Sequence, residues 1–95
     1  MIVKTVKVIN DYGIHMRSCN MIVDITCGVS SKVLLSKDGE NWVDGKSIMA
    51  LTMLAAVQHD EVSVKADGVD EQEVVDDIID LIGKGFSEEE MDLKK

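Results

Sequence analysis

His59-Asp60-Glu61-Val62-Ser63-Val64-Lys65-Ala66-Asp67-Gly68 is the stretch whose reading decides the fold. Val62, Val64 and Ala66 alternate with polar Ser63 and Lys65. An extended chain sends successive side chains to opposite faces, so this alternation describes a strand with one apolar and one wet face. A sheet built from such strands needs a cover on one side only, and helices supply it in a two-layer α+β domain. His59 falls in the connection before the strand and reads as a loop histidine. Asp67-Gly68 turns the chain after it.

Working outward toward the C-terminus, Asp70 and Glu73 have near capping-box spacing, with Asp in place of Ser or Thr. Val75, Ile78, Ile79 and Ile82 then mark one face of a helix, and Gly83 stops it. Residues 84–95 lack periodicity and carry the run Glu88-Glu89-Glu90. They are expected to form a solvated acidic tail, which leaves residues 1–83 as the domain.

Toward the N-terminus, Ser47 is placed to cap a short helix in which Ile48, Leu51 and Thr52 share a face, with Met49 and Met53 alongside. Methionine fills irregular cores, but on an exposed helix it makes an adaptable docking surface. Asp44-Gly45 forms a turn before that helix. Val33-Leu34-Leu35-Ser36 and Asn41-Trp42-Val43 read as paired strands, with Asp38-Gly39 as the hairpin signal between them. Trp42, the only tryptophan, is expected to cover a sheet edge or face. From about residue 16 to 27 the period is helical: Ser18, Met21, Ile22 and Ile25 fall on one face, Asp24 lies off it, and Gly28 ends it. Residues 2–9 are rich in β-branched types and read as a strand, imperfectly alternating because Lys4 falls on the apolar side. The element order is β-α-β-β-α-β-α.

Ninety-five residues, 45% of them apolar, suit a single domain with one modest core. A net charge of −8 argues against nucleic acid and anionic membranes as partners. No apolar run approaches the ~20 residues of a membrane span. The first residues do not form a signal-peptide pattern, and a cytoplasmic protein is expected. Cys19 and Cys27 fall in one helix, which separates them by ~12 Å. A disulfide needs Cα atoms within ~7 Å, so two free thiols and a reducing compartment are expected.

Gly13-Ile14-His15-Met16-Arg17-Ser18 carries the chemistry. A turn containing glycine delivers His15 to the start of a helix, where unpaired N–H groups and the helix dipole attract anions. The main-chain amides of Met16 and Arg17 would face a phosphoryl group there, and the Arg17 guanidinium can grip its oxygens. Imidazole is the side chain that can be neutral near pH 7 and still nucleophilic. The competing reading is a surface histidine beside a solvated arginine. A metal site on His15 and Cys19, four residues apart on one helix, is a further alternative, but two ligands fall short of the four of a structural zinc site.

Gly13-Ile14-His15-Met16-Arg17 resembles the Gly-Leu-His-Ala-Arg active-site motif of HPr, the phosphocarrier of the bacterial sugar phosphotransferase system. Gly45-Lys46-Ser47-Ile48-Met49 resembles the Lys-Ser-Ile-Met stretch of the same family, and the element order matches to about residue 83. The resemblance implies an open-faced β-sandwich, a four-stranded antiparallel sheet of order 1-4-2-3 with three helices on one face. It implies that His15 takes a phosphoryl group from phosphorylated enzyme I and hands it to a IIA-type protein, with Arg17 stabilising the group. Ser47 becomes a candidate regulatory site for an HPr kinase/phosphorylase, so a protein-binding module controlled at Ser47 is the alternative function. Met16, Ile48, Met49, Leu51 and Met53 are the expected partner-binding residues. No cofactor or metal is called for, and a monomer is expected. Ser18, Met16, Ala50 and Asp24 depart from the residues common in the family at those places.

Overall fold

A computed structural model describes residues 1–87. The order is β1 (Ile2–Lys7), α1 (Met16–Thr26), β2 (Lys32–Ser36), β3 (Val43–Asp44), α2 (Ile48–Thr52), β4 (Glu61–Asp67) and α3 (Glu71–Gly83), followed by a 3-10 turn, Gly85–Ser87. The sheet order is β1-β4-β2-β3, and every pairing is antiparallel. This is the open-faced α+β sandwich of the sequence reading.

β4 is the centre of the sheet. Val62, Val64 and Ala66 are fully buried, and β1 and β2 flank it on either side. The inner face meets Ile22 of α1, Leu51 of α2, and Val74, Val75, Ile78 and Ile82 of α3 in one continuous apolar core. The outer face is open. There Thr5 and Ser63 hydrogen-bond across the strands at 2.9 Å. The Lys65 ammonium stands 4.1 Å from the centre of the Trp42 ring. Trp42 therefore lies on a sheet face, and its contact with a cation keeps it half-buried. Lys4 explains the broken alternation of β1: its stem follows the inner face and its amine pairs with Asp76 of α3.

Several details differ from the sequence reading. The buried stripe of α1 is Ser18, Cys19, Ile22 and Thr26, with Met21 and Ile25 only partly covered. Thr26 goes inward because its hydroxyl donates to the Gly45 carbonyl at 2.8 Å. Asp38-Gly39 is not a tight hairpin. The Asp38 carboxylate accepts from the amides of Glu40 and Asn41, both at 2.8 Å, and organises a wider loop. β3 is consequently only two residues long, and Trp42 precedes it. Asp70 occupies the N-cap position of α3, but its side chain does not cap the helix. It accepts instead from the amides of Ser30 and Ser31, at 2.8 and 2.9 Å, and from the Ser31 hydroxyl. It thereby ties the α1–β2 connection to α3.

Packing continues past residue 83. Phe86 is buried to 1% exposure in the core, and the left-handed backbone at Gly85 and Phe86 turns it inward. Residues 84–87 thus continue the packed fold. The remainder of the acidic tail, 88–95, lies outside the described residues.

Candidate functional site

The site begins with a glycine that nothing else can replace without movement. Gly13 has φ +65°, and a Cβ built there would lie 2.5 Å from the Ala56 carbonyl oxygen and 2.8 Å from the Val57 Cα. This close approach lets the Ile14 amide donate to the Ala56 carbonyl at 3.0 Å. Asn10, buried beneath the turn, donates from Nδ2 to the Gly13 carbonyl at 2.8 Å. The Ser18 hydroxyl reaches the same carbonyl at 3.4 Å. The loop before α1 is therefore anchored both to itself and to the segment following α2. Asn10 opens the sequence Asn10-Asp11-Tyr12-Gly13, whose residue types mark an ordinary turn. Its role here depends on a tertiary setting that local turn chemistry does not reveal.

His15 is the N-cap of α1. The Arg17 amide donates to its Nδ1 at 3.3 Å, and the Cys19 amide closes the first helical turn on its carbonyl at 2.8 Å. An amide N–H bonds only to a ring nitrogen that bears a lone pair, so Nδ1 is the unprotonated nitrogen and Nε2 carries the hydrogen. Nε2 is shielded from solvent, although the residue as a whole is half-exposed. The nitrogen that bears the lone pair is therefore the one aimed at the helix start. Tyr12 sets its ring nearly perpendicular to the imidazole, 84° between planes and 5.9 Å between centres. Arg17 is exposed in the first turn of α1.

The remaining candidate residues separate into two groups. Met16, Met49 and Met53 are 60%, 77% and 76% exposed, an unusual amount of bare methionine for so small a protein. Ile48 is half-buried. Leu51 is fully buried in the core, which removes it from the expected partner-binding set. Its position three residues after Ile48 turns it toward the sheet while Met49 and Met53 turn away. Ser47 caps α2 as its sequence position suggested, its Oγ accepting from the Ala50 amide at 3.2 Å. Cys19 is fully buried, and burial raises its thiol pKa above the ordinary value. Among the described residues no three His, Cys, Asp or Glu side chains converge to hold a metal ion. Among them, too, no helix is long and apolar enough to cross a membrane.

A family model described as the PTS HPr component phosphorylation site matches residues 2–84. The chain belongs to the HPr family. It is 36% identical to the phosphocarrier protein HPr of Neisseria meningitidis serogroup A, over 95% of this chain and all of that one. An HPr structure from Thermoanaerobacter tengcongensis is 32% identical and superposes with a TM-score of 0.85, covering 92% of this chain and 97% of the other. The Crh protein of Bacillus subtilis, described as a domain-swapped dimer, is 33% identical with a TM-score of 0.70, over 90% of this chain and 97% of its own. HPr proteins are phosphocarriers of the phosphotransferase system, and the fold, the element order and the sheet order of this chain are those of the HPr family.

Proposed function

We propose that His15 is the phosphoryl acceptor of this HPr-family chain, loaded by phosphorylated enzyme I and unloaded onto a histidine of a IIA-type protein. The observation that carries this reading is the Nδ1 of a half-exposed histidine held at a helix start by the Arg17 amide. The Nδ1 lone pair attacks phosphorus, and the bond from phosphorus to the donor breaks as the new N–P bond forms. The Arg17 amide, displaced from Nδ1, then turns to a phosphoryl oxygen together with the Met16 amide. The positive end of the α1 dipole favours the added charge. The Arg17 guanidinium supplies a permanent countercharge. Phosphoryl transfer asks for positioning and charge stabilisation rather than further covalent chemistry, so one nucleophile and these donors suffice. A shallow site serves two partners in turn, and the exposed Met16, Met49 and Met53 with the rim of Ile48 provide an adaptable apolar surface for both. The chain works in the cytoplasm as a monomer and needs no cofactor.

The test is intact-mass measurement after incubation with phosphoenolpyruvate and a cognate enzyme I. An acid-labile gain of one phosphoryl group is expected in the native chain and none in His15→Ala. A native chain that stays unmodified while the same enzyme I loads a control HPr would overturn the reading.

A second role is supported by Ser47. Its half-exposed hydroxyl caps α2 beside Met49. A phosphate there adds about two negative charges next to the proposed docking surface without removing a core side chain. An HPr kinase/phosphorylase with ATP should phosphorylate the native chain, leave Ser47→Ala unmodified, and slow loading from enzyme I in the modified form. An unchanged loading rate after stoichiometric modification rules the role out.

A further inference from the structure

We infer that Tyr12 is a positioning residue for the imidazole of His15, a role that rests on reading His15 as the phosphoryl acceptor. The sequence holds one tyrosine, one tryptophan and one phenylalanine. Phe86 fills the core and Trp42 lies on the open sheet face, whereas Tyr12 is 73% exposed and meets the ring of His15. The pair is perpendicular at 84° with centres 5.9 Å apart, an arrangement that aromatic quadrupoles favour.

Tyr12 holds this place because its backbone is fixed on both sides. Gln58 donates from Nε2 to the Ile9 carbonyl at 3.1 Å and to the Asp11 carboxylate at 3.0 Å. Asn10 donates to the Gly13 carbonyl at 2.8 Å, and the Ile14 amide donates to Ala56 at 3.0 Å. The side chain is wet, yet the strap that carries it is tied down.

The lone pair of Nδ1 lies in the plane of the imidazole. The Cβ–Cγ torsion of histidine is soft, so the plane needs a neighbour to define it. One restraint is the Arg17 amide at 3.3 Å, a long hydrogen bond. The perpendicular ring of Tyr12 is a further one. Together they set the direction along which Nδ1 meets phosphorus, and in-line geometry governs the rate of phosphoryl transfer. The aromatic ring is what matters for this role; the phenol hydroxyl is not required.

The test compares the native chain with Tyr12→Ala and Tyr12→Phe, each first shown to be folded by its amide NMR spectrum. Two readouts are taken: the ring-nitrogen shifts of His15, which report the tautomer, and the steady-state kinetics of loading from enzyme I. In Tyr12→Ala the preference for the tautomer protonated at Nε2 should weaken. Maximal loading should fall about three- to tenfold, the size of effect that an aromatic pair can exert. The KM for this protein should stay unchanged, and Tyr12→Phe should restore both readouts. Native tautomer and loading in Tyr12→Ala would overturn the inference, as would a change confined to KM, which marks a docking residue. A Tyr12→Phe variant as defective as Tyr12→Ala would also overturn it. If the native chain takes no phosphoryl group, the reading of His15 fails by itself, while the nitrogen shifts still decide the role of Tyr12.

Discussion

Replacing Gly13 with alanine should damage this protein far more than replacing Gly39, although both glycines have left-handed backbones. At Gly39, φ is +79° and a Cβ meets nothing within 4 Å, so only the conformational penalty applies, about 1 kcal/mol. At Gly13, φ is +65° and the Cβ lands 2.5 Å from the Ala56 oxygen and 2.8 Å from the Val57 Cα. Both obstacles are backbone, so neither can rotate away. Ordinary contact requires the two chain segments to part by roughly 1 Å, which breaks the Ile14–Ala56 hydrogen bond, worth about 1 kcal/mol. With the same left-handed penalty and the lost contacts, Gly13→Ala should cost about 2–4 kcal/mol against about 1 for Gly39→Ala. Urea unfolding of the two variants measures the difference. Hydrogen exchange at the Ile14 amide should quicken in Gly13→Ala alone. Because His15 follows two residues later, loading from enzyme I should fall by about 100-fold, the effect of a 1 Å misplacement. Equal stability of the two variants, with Ile14 still protected, would refute the reasoning.

Three further outcomes follow from the packing. Phe86→Ala should destabilise the fold by about 3–5 kcal/mol, as for a buried aromatic; a loss under about 1 kcal/mol would show that residues 84–87 do not close the core. An alkylating reagent should label exposed Cys27 in the folded protein and reach Cys19, whose thiol burial raises, only in denaturant; mass spectrometry counts the labels. Hydrogen bonds from the Ser31 hydroxyl and the Ser30 and Ser31 amides hold the Asp70 carboxyl below the usual carboxylate range. A depressed folded value stabilises the protein above the unfolded pKa of about 4 and loses that contribution as pH falls through the folded value. Asp70→Asn should therefore lower stability at neutral pH, and its gap from the native chain should shrink in denaturant titrations at acid pH; a constant gap would contradict this.

The sheet was legible because its central strand alternates cleanly, and α1 because Gly13 and Gly28 punctuate it. What was misread depended on partners distant in the chain. Asp70 has the spacing of a helix cap, yet its carboxylate goes to Ser31, thirty-nine residues earlier, which no local window can weigh. Phe86 stands alone among polar residues, so no periodicity announces that it is buried. Leu51 and Met49 are both apolar on a helix of five residues, too short for a pattern to separate core from surface. Of the candidate site, His15 and Arg17 could be read from their motif. Tyr12 and Asn10 could not, because their contacts depend on how the loop folds over the segment after α2.

The sheet order also bears on how the chain is made. β1 pairs with β4, and the loop before α1 leans on Ala56 and Gln58. On a ribosome adding about 5–20 residues each second, the first strand waits about 3–12 s for its mate. Throughout that interval the nascent edge is bare except for the charges of Lys4 and Lys7, which discourage it from joining another polypeptide. An unfinished chain released before β4 emerges lacks the strand that joins β1 to β2, so the sheet beneath the histidine loop is not closed.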